Sequence, residues 1–317
     1  MINSVRNTVL SVLNKNNYGY LSPSDFNLFA KQAQLDLFEN SFYEYNNQIN
    51  KENARTSGTG YADIKKTIEE QIDLFSVTKG LYNQIDNTYY TPSETTTGSD
   101  YYLLNKVLVY ESVLDEGTTT NFGVTNNLLI DSSADFTVDV SAGDIVAIES
   151  GGVQYLKVLS VNSANQLTVT GTYLNAGGIK YAIYKKGTRQ NEAEKVSHSK
   201  ITMLSNSMLT SPNALFPSYI VESNTLDVYP DSVESIGRVV SQYIRYPKEP
   251  KWTFISLLNG EPSFDPTQPD YQDFELAPDY EVDLILKILQ YAGVSIRESD
   301  IYQFAQSEEQ ETKVNQK

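Results

Sequence analysis

The chain has no cysteine. That excludes disulfides, thiolate metal sites and a cysteine nucleophile. Histidine is almost missing too: the single one, His198, cannot build a multi-histidine metal centre. No Gly-x-Ser-x-Gly elbow is present to pair with it, so it reads as a surface or interface residue. Basic residues are scarce, with Lys+Arg 24 against Asp+Glu 40 and a net charge of -16. Gripping nucleic acid takes clustered Lys and Arg, and the groups Lys65-Lys66, Lys185-Lys186 with Arg189, and Arg245 with Lys248 and Lys251 are small and scattered. No apolar run approaches the ~18 residues of a membrane span. The opening stretch is amphipathic rather than the apolar core of a secretory signal. Neither a span nor a signal is expected.

What is abundant is tyrosine, 23 residues against 12 Phe and one Trp. Tyr buries area while keeping a polar tip, which suits interfaces between subunits that must also be soluble alone; compositional bias is the competing explanation. At 317 residues with 40% apolar content, the chain can build a core large enough for two domains.

The first third has helical period. Val5, Val9, Val12 and Leu13 line one side of a short helix that ends at Asn16-Asn17-Tyr18-Gly19. Ser22-Pro23-Ser24-Asp25 is a capping-box-like start for a helix running beyond Ile49. Its apolar residues make two stripes, Phe26, Phe29, Ala30, Ala33 and Leu37, and Leu28, Leu35, Phe38, Phe42, Tyr45 and Ile49. Two stripes imply two packing partners, one of which a neighbouring subunit could supply. A further helix is expected over Tyr61–Leu81 and a strand near the end of Tyr101–Val113.

From about Gly117 the texture becomes β-rich, with strands expected at 127–131, 136–140, 144–149, 153–162, 166–170 and 180–185 between Gly and Asn turns. Beyond this block, 191–209 reads as helix, 218–229 as a hairpin and 236–246 as a strand. Lys248–Pro278 reads as an extended excursion lying across a neighbour, so shortening Pro262–Pro278 is expected to spare the fold and block assembly. A final helix opens at Pro278-Asp279, and a second, with Ile301, Phe304 and Ala305 inward, follows from Glu298. The expected fold is α+β: a helical bundle with long N-terminal helices and a C-terminal helix pair (1–119 and 188–317), carrying an inserted small antiparallel β-barrel or sandwich (120–187). The aromatics of the stripes and of the excursion are the candidate interface residues: Phe26, Phe29, Leu37, Phe38, Phe42, Tyr45, Trp252, Phe254, Phe264, Tyr271 and Phe274.

Catalytic and metal motifs are not apparent. The adjacent acids Glu69-Glu70 and Glu308-Glu309 fall on exposed helix faces and lack the opposed geometry of a glycosidase pair. Asp131-Ser132-Ser133-Ala134-Asp135 has oxygens at alternating positions but neither the Gly nor the closing Glu of an EF-hand loop, and reads as a turn. Gly58-Thr59-Gly60 lacks the rest of a phosphate loop. No catalytic residue, cofactor or metal site is expected, and the chain reads as non-enzymatic.

Three stretches carry a resemblance. Val5–Lys15 together with Tyr20–Gln34 resembles virion structural proteins of the crAss-like phages. The β block, through Leu129-Ile130-Asp131-Ser132-Ser133-Ala134-Asp135-Phe136 and Gly143-Asp144-Ile145-Val146, is similar to small β modules of phage structural proteins. The segment Pro278–Gly293 looks like the end of podovirus adaptor proteins. The resemblance covers about half the chain. It implies a head–tail connector protein in the virion, made in the host cytoplasm, forming a ring of about twelve copies that joins portal to tail. Its other partners would be tail ring proteins and not a membrane. DNA would pass through the lumen without specific binding, past a wall whose acidic charge repels phosphate. A more distal tail-barrel ring and a glycan-binding tail module are the alternatives.

Overall fold

In a computed structural model, residues 1–14, 21–54, 64–120, 127–171, 178–256 and 262–296 are described, with 303, 306, 307 and 310. The chain divides into two compact units, one of Met1–Phe75 with Pro247–Lys317 and one of Ser76–Tyr246. The segment 120–187 lies inside the second.

The first unit opens with α1 (Ile2–Asn14), which buries Ile2, Val5, Val9 and Leu13 as one stripe. Helix α2 (Pro23–Ala54) starts at the expected cap: Asp25 N donates to Ser22 Oγ at 3.1 Å, and Ser22 Oγ donates to Asp25 Oδ2 at 2.6 Å. Its two stripes both find partners in the same chain. Tyr45 donates to Glu69 Oε1 at 2.7 Å on α3 (Ile64–Asp73), and Phe38 meets Phe75 edge-on at 5.0 Å. On the other side, Phe29 stacks on Tyr291 of the C-terminal helix at 6.3 Å.

The second unit begins with β1 (Ser76–Gly80), β2 (Asn83–Ile85) and β3 (Thr88–Tyr90), then α4 (Glu94–Thr97), β4 (Tyr101–Tyr110) and β5 (Asp115–Thr118). It continues through β6 (Leu128–Ile130), α5 (Phe136–Asp139), β7 (Ile145–Glu149), β8 (Val153–Ser163), β9 (Gln166–Val169) and β10 (Lys180–Tyr184). The path ends with β11 (Gln190–Glu192), β12 (Glu194–Lys195), α6 (His198–Ser205), β13 (Ser218–Glu222), β14 (Thr225–Tyr229) and β15 (Val239–Arg245). Back in the first unit come the hairpin β16 (Phe254–Ser256) and β17 (Pro262–Phe264), a 3₁₀ turn at Pro278–Tyr280 and α7 (Glu281–Ile296).

The described residues thus hold 17 strands in four sheets against seven α-helices. This overturns the helical bundle with long N-terminal helices expected from periodicity. The helix expected to run through Leu81 stops at Asp73, and β1 pairs antiparallel with β15, Ser76 facing Ile244. In place of a helix over 191–209, β11 and β12 precede α6. Phe136–Val140 is not a strand but the one-turn helix α5, capped by Asp135, whose side chain accepts from Thr137 N. The expected second C-terminal helix lies outside the described residues apart from a few positions. Among those described, no helix is long and apolar enough to cross a membrane.

The second unit holds three sheets, of orders β1-β15-β4-β11, β12-β13-β14-β3-β2 and β5-β10-β7-β8-β9-β6. The last curls into a half-barrel. Long β8 pairs β7 with its first half and β9 with its second. The two ends of the sheet meet where Thr120 N donates to Ile130 O at 3.0 Å. Leu129, Phe136, Val146, Ile148, Leu167, Tyr181 and Ile183 fill its interior, so it is a packed core, not a ligand cup. Most sheet edges are short, β12 being two residues and β2, β6 and β11 three.

Beside the barrel, the loop 230–238 is held by side chains. Tyr89 donates to Val233 O at 3.0 Å, Tyr184 to Ile236 O at 2.6 Å and Tyr155 to Gly237 O at 2.7 Å. Buried Arg238 gives its three nitrogens to the carbonyls of Tyr110, Ser232 and Glu111 at 3.1, 2.7 and 3.1 Å. Burial pushes the Tyr155 and Tyr184 hydroxyls well above the ordinary tyrosine value, so they stay protonated donors. Gly237 sits at φ +66, and a Cβ there would lie 2.4 Å from Ala147 Cβ. Gly237→Ala is therefore expected to destabilise the second unit by about 1–3 kcal/mol, from overpacking added to left-handed backbone strain. Chemical denaturation followed by tyrosine fluorescence checks this; an unchanged midpoint would remove the argument.

Candidate interaction surfaces

The chemical candidates disperse. His198 is exposed as the first residue of α6. Glu69 accepts from Tyr45, while Glu70 lies 3.8 Å from Lys66 on the same helix. Glu308-Glu309 and Gly58-Thr59-Gly60 lie outside the described residues. Among the described residues no group of His, Asp and Glu is placed to hold a metal. Lys251 pairs with Asp270 at 2.5 Å, and Arg245 donates to Tyr246 O at 3.1 Å.

The Asp131–Asp135 segment is a turn from β6 into α5. Asp131 Oδ1 accepts from Ser133 N at 2.9 Å and Ser133 Oγ at 2.6 Å, and Oδ2 from the Tyr181 hydroxyl at 2.8 Å. Asn165 Nδ2 binds the carbonyls of Asp131, Ser132 and Ala134. The oxygens that resemble a calcium loop are already engaged within the fold. Burial alone would raise the Asp131 carboxyl, but the bonds from Ser133, Tyr181 and Thr118 outweigh it and hold it below the usual range. Neighbouring Asp115 is shifted the other way, chiefly by burial and further by Asp131 and Asp139.

The aromatic candidates gather in the first unit. Trp252 is 2% exposed. Its ring stacks with Phe254 at 5.6 Å and with Phe264 at 5.9 Å, and Arg6 lies over it at 3.7 Å from the centroid, a cation–π geometry. Tyr271 meets Phe264 edge-on at 5.8 Å. Trp252 N donates to Asn27 Oδ1 at 2.8 Å, Asn27 Nδ2 returns a bond to Trp252 O at 3.2 Å, and the indole N–H reaches Asn3 Oδ1 at 3.1 Å. The excursion is stitched down on either side. Gln34 bridges Lys248 O and Glu275 N, and Asp273 Oδ1 accepts from Ile2 N at 2.7 Å. The described parts of the excursion, 248–256 and 262–278, are thus bonded to α1 and α2 of the same chain, so shortening Pro262–Pro278 would remove contacts of this unit's own fold. Phe26, Leu37, Phe38, Trp252 and Phe274 are buried in this unit; Phe29, Phe42, Tyr45, Phe264 and Tyr271 are half-buried; Phe254 is exposed.

A different apolar surface, which periodicity missed, lies in the second unit on α6 and the loop after it. Helix α6 docks through Ile201, against Val196 and Ile220, and leaves Met203 outward. Met208 and Leu209 are 105% and 94% exposed, and Leu215 and Phe216 also face solvent. The backbone that carries them is ordered: Ser211 N bonds Ser207 O at 2.9 Å, Phe216 N bonds Asn213 O at 3.0 Å, and Asn191 Nδ2 ties Ala214 O at 2.8 Å. The only sequence signal was apolar residues with no regular period among Ser, Thr, Asn and Pro.

No protein-family model matches this chain, and no curated protein is significantly similar to it.

Three outcomes are expected. Trp252→Ala costs about 3–5 kcal/mol by loss of a buried indole, lowering the melting temperature by on the order of 10 °C in calorimetry. Asp131, whose folded value is lowered, contributes stability above the unfolded carboxylate range that is lost as pH falls through its folded value. Asp131→Asn should thus cost about 1.5–3 kcal/mol at neutral pH and progressively less on acidification. Asp115→Asn should stabilise at neutral pH, since it removes a charge that burial opposes. Urea titrations from neutral to acid pH give both signs, and equal effects at the two positions would contradict the assignment.

Proposed function

We propose that this chain is a structural virion protein of a tailed phage, one of about twelve copies in a head–tail connector ring that joins portal to tail around the DNA exit channel. The observation that carries the reading is the ordered loop after α6, which holds Met208, Leu209 and Phe216 in water. Large apolar side chains grouped on a fixed backbone are a costly surface for a monomer and a useful one for an assembling subunit. The resemblance of the N-terminal stretch and of the β block to phage virion proteins supports the same reading. The net charge of -16 suits a wall past which DNA slides.

The double change Met208→Ser and Leu209→Ser should leave folding stability within about 0.5 kcal/mol, because both side chains are exposed. It should lower incorporation into phage particles by about tenfold or more, on the order of 1.4 kcal/mol per decade. Immunogold microscopy and quantitative mass spectrometry of purified particles read this out. Absence of the wild-type protein from particles would end the proposal.

A further inference from the structure

Charge is segregated along this chain. Residues 150–221 contain seven Lys and Arg and two acids, within a chain of net charge -16. The two acids are both neutralised, Glu192 by Lys106 at 3.0 Å and Glu194 by Lys200 at 2.6 Å. What faces outward is the tight turn between β10 and β11, closed by Thr188 N donating to Lys185 O at 2.9 Å, with Lys185, Lys186 and Arg189 all exposed. Exposed Lys157 of β8 joins them. A Cβ on Gly143 would lie 3.3 Å from Lys186 Cδ and 3.9 Å from Lys157 Cε, so the two stems flank one glycine. Among the described residues, no carboxylate is within ion-pair distance of these four.

The counterpart is on the other unit. Residues 252–286 hold eight carboxylates and no Lys or Arg. Asp270 is engaged by Lys251, Asp273 by Ile2 N and Glu275 by Lys248 N. Asp279 is exposed, and Glu281 and Asp265 are half-exposed.

We propose that the basic turn of one copy, Lys185, Lys186 and Arg189 with Lys157, docks on the acidic segment 265–281 of a second copy. This rests on the ring reading and gives it a direction. A patch that meets a different patch is a heterologous contact, which every copy repeats and which closes into a ring when the rotation allows. Opposed potentials select that register and raise the encounter rate, whereas like patches repel. The second copy is favoured over nucleic acid as occupant because the same chain supplies a base-free acidic segment, while the basic cluster is four residues in a strongly acidic molecule. The apolar loop is tied to the same edge, through Asn191 and Ala214, and so sits beside the charged contact.

The test uses two full-length variants, Lys185→Glu/Lys186→Glu/Arg189→Glu and Asp279→Lys/Glu281→Lys, each checked for an unchanged melting temperature. Sedimentation velocity at ~50 mM salt, where screening is weak, is run on wild type, each variant and their equimolar mixture. Wild type should associate, each variant alone about tenfold more weakly, and the mixture should recover, since the reversed faces complement one another. Variants that associate as wild type does would overturn this contact and leave the ring reading standing. Weakened variants with no recovery on mixing would show that the two patches do not face each other. A monomeric wild type would remove both readings. Loss of duplex DNA binding by the first variant, with self-association untouched, would reassign the basic turn to nucleic acid. Should the two-site acidic variant unfold, Asp279→Asn with Glu281→Gln replaces it, with weakened association still required.

Discussion

The second unit depends on satisfying the backbone of one irregular loop. Residues 230–238 pass beside the barrel outside any strand, and an unpaired buried carbonyl costs as much as a lost hydrogen bond. Tyr89, Tyr155, Tyr184 and Arg238 supply side-chain donors to the carbonyls of Val233, Gly237, Ile236 and Ser232. Because these side chains come from β3, β8, β10 and the loop itself, the same bonds fasten the barrel to the neighbouring strands. A buried guanidinium spread over three carbonyls is tolerable where an isolated one would not be. Three of the 23 tyrosines serve this donor role. A long flat side chain with a terminal donor spans from a hydrophobic interior to a backbone oxygen, which Phe cannot do.

The first unit is organised around Trp252. Its ring stacks with Phe254 and Phe264 and lies under Arg6, and its main chain and indole bind α2 and α1 through Asn27 and Asn3. The described residues 248–256 and 262–278 are thereby held against two helices. Segments without regular structure are normally exposed and variable; this one is fixed by reciprocal side-chain amide bonds to its backbone.

What was legible in the residues was local. The Ser22–Asp25 cap, the α1 stripe, the start of the last helix near Pro278 and five of the six expected strands between 127 and 185 all follow from period and turn chemistry acting over a few positions. What was not legible was pairing at long range. Ser76–Gly80 becomes a strand because β15, more than 150 residues later, offers it an edge. Asn191 and Ala193 turn inward along a path whose strands β11 and β12 carry Glu and Lys, residues that favour helix locally, and the sheets override them. The long, strongly marked α2 weighed more in the reading than many strands of two to five residues, so the helical share was overestimated. Most of the large aromatics of the candidate interface are buried or half-buried among residues of their own unit, while the outward Met208 and Leu209 carry no periodic signature.

The brevity of the sheet edges among the described residues has a consequence at high protein concentration. An open ladder of amide and carbonyl groups invites strand addition that has no natural stopping point. Where an edge is two or three residues long, an incoming strand gains too few bonds to stay. Open-ended strand addition is then disfavoured, and any contact between molecules falls to side chains, whose geometry has a defined end.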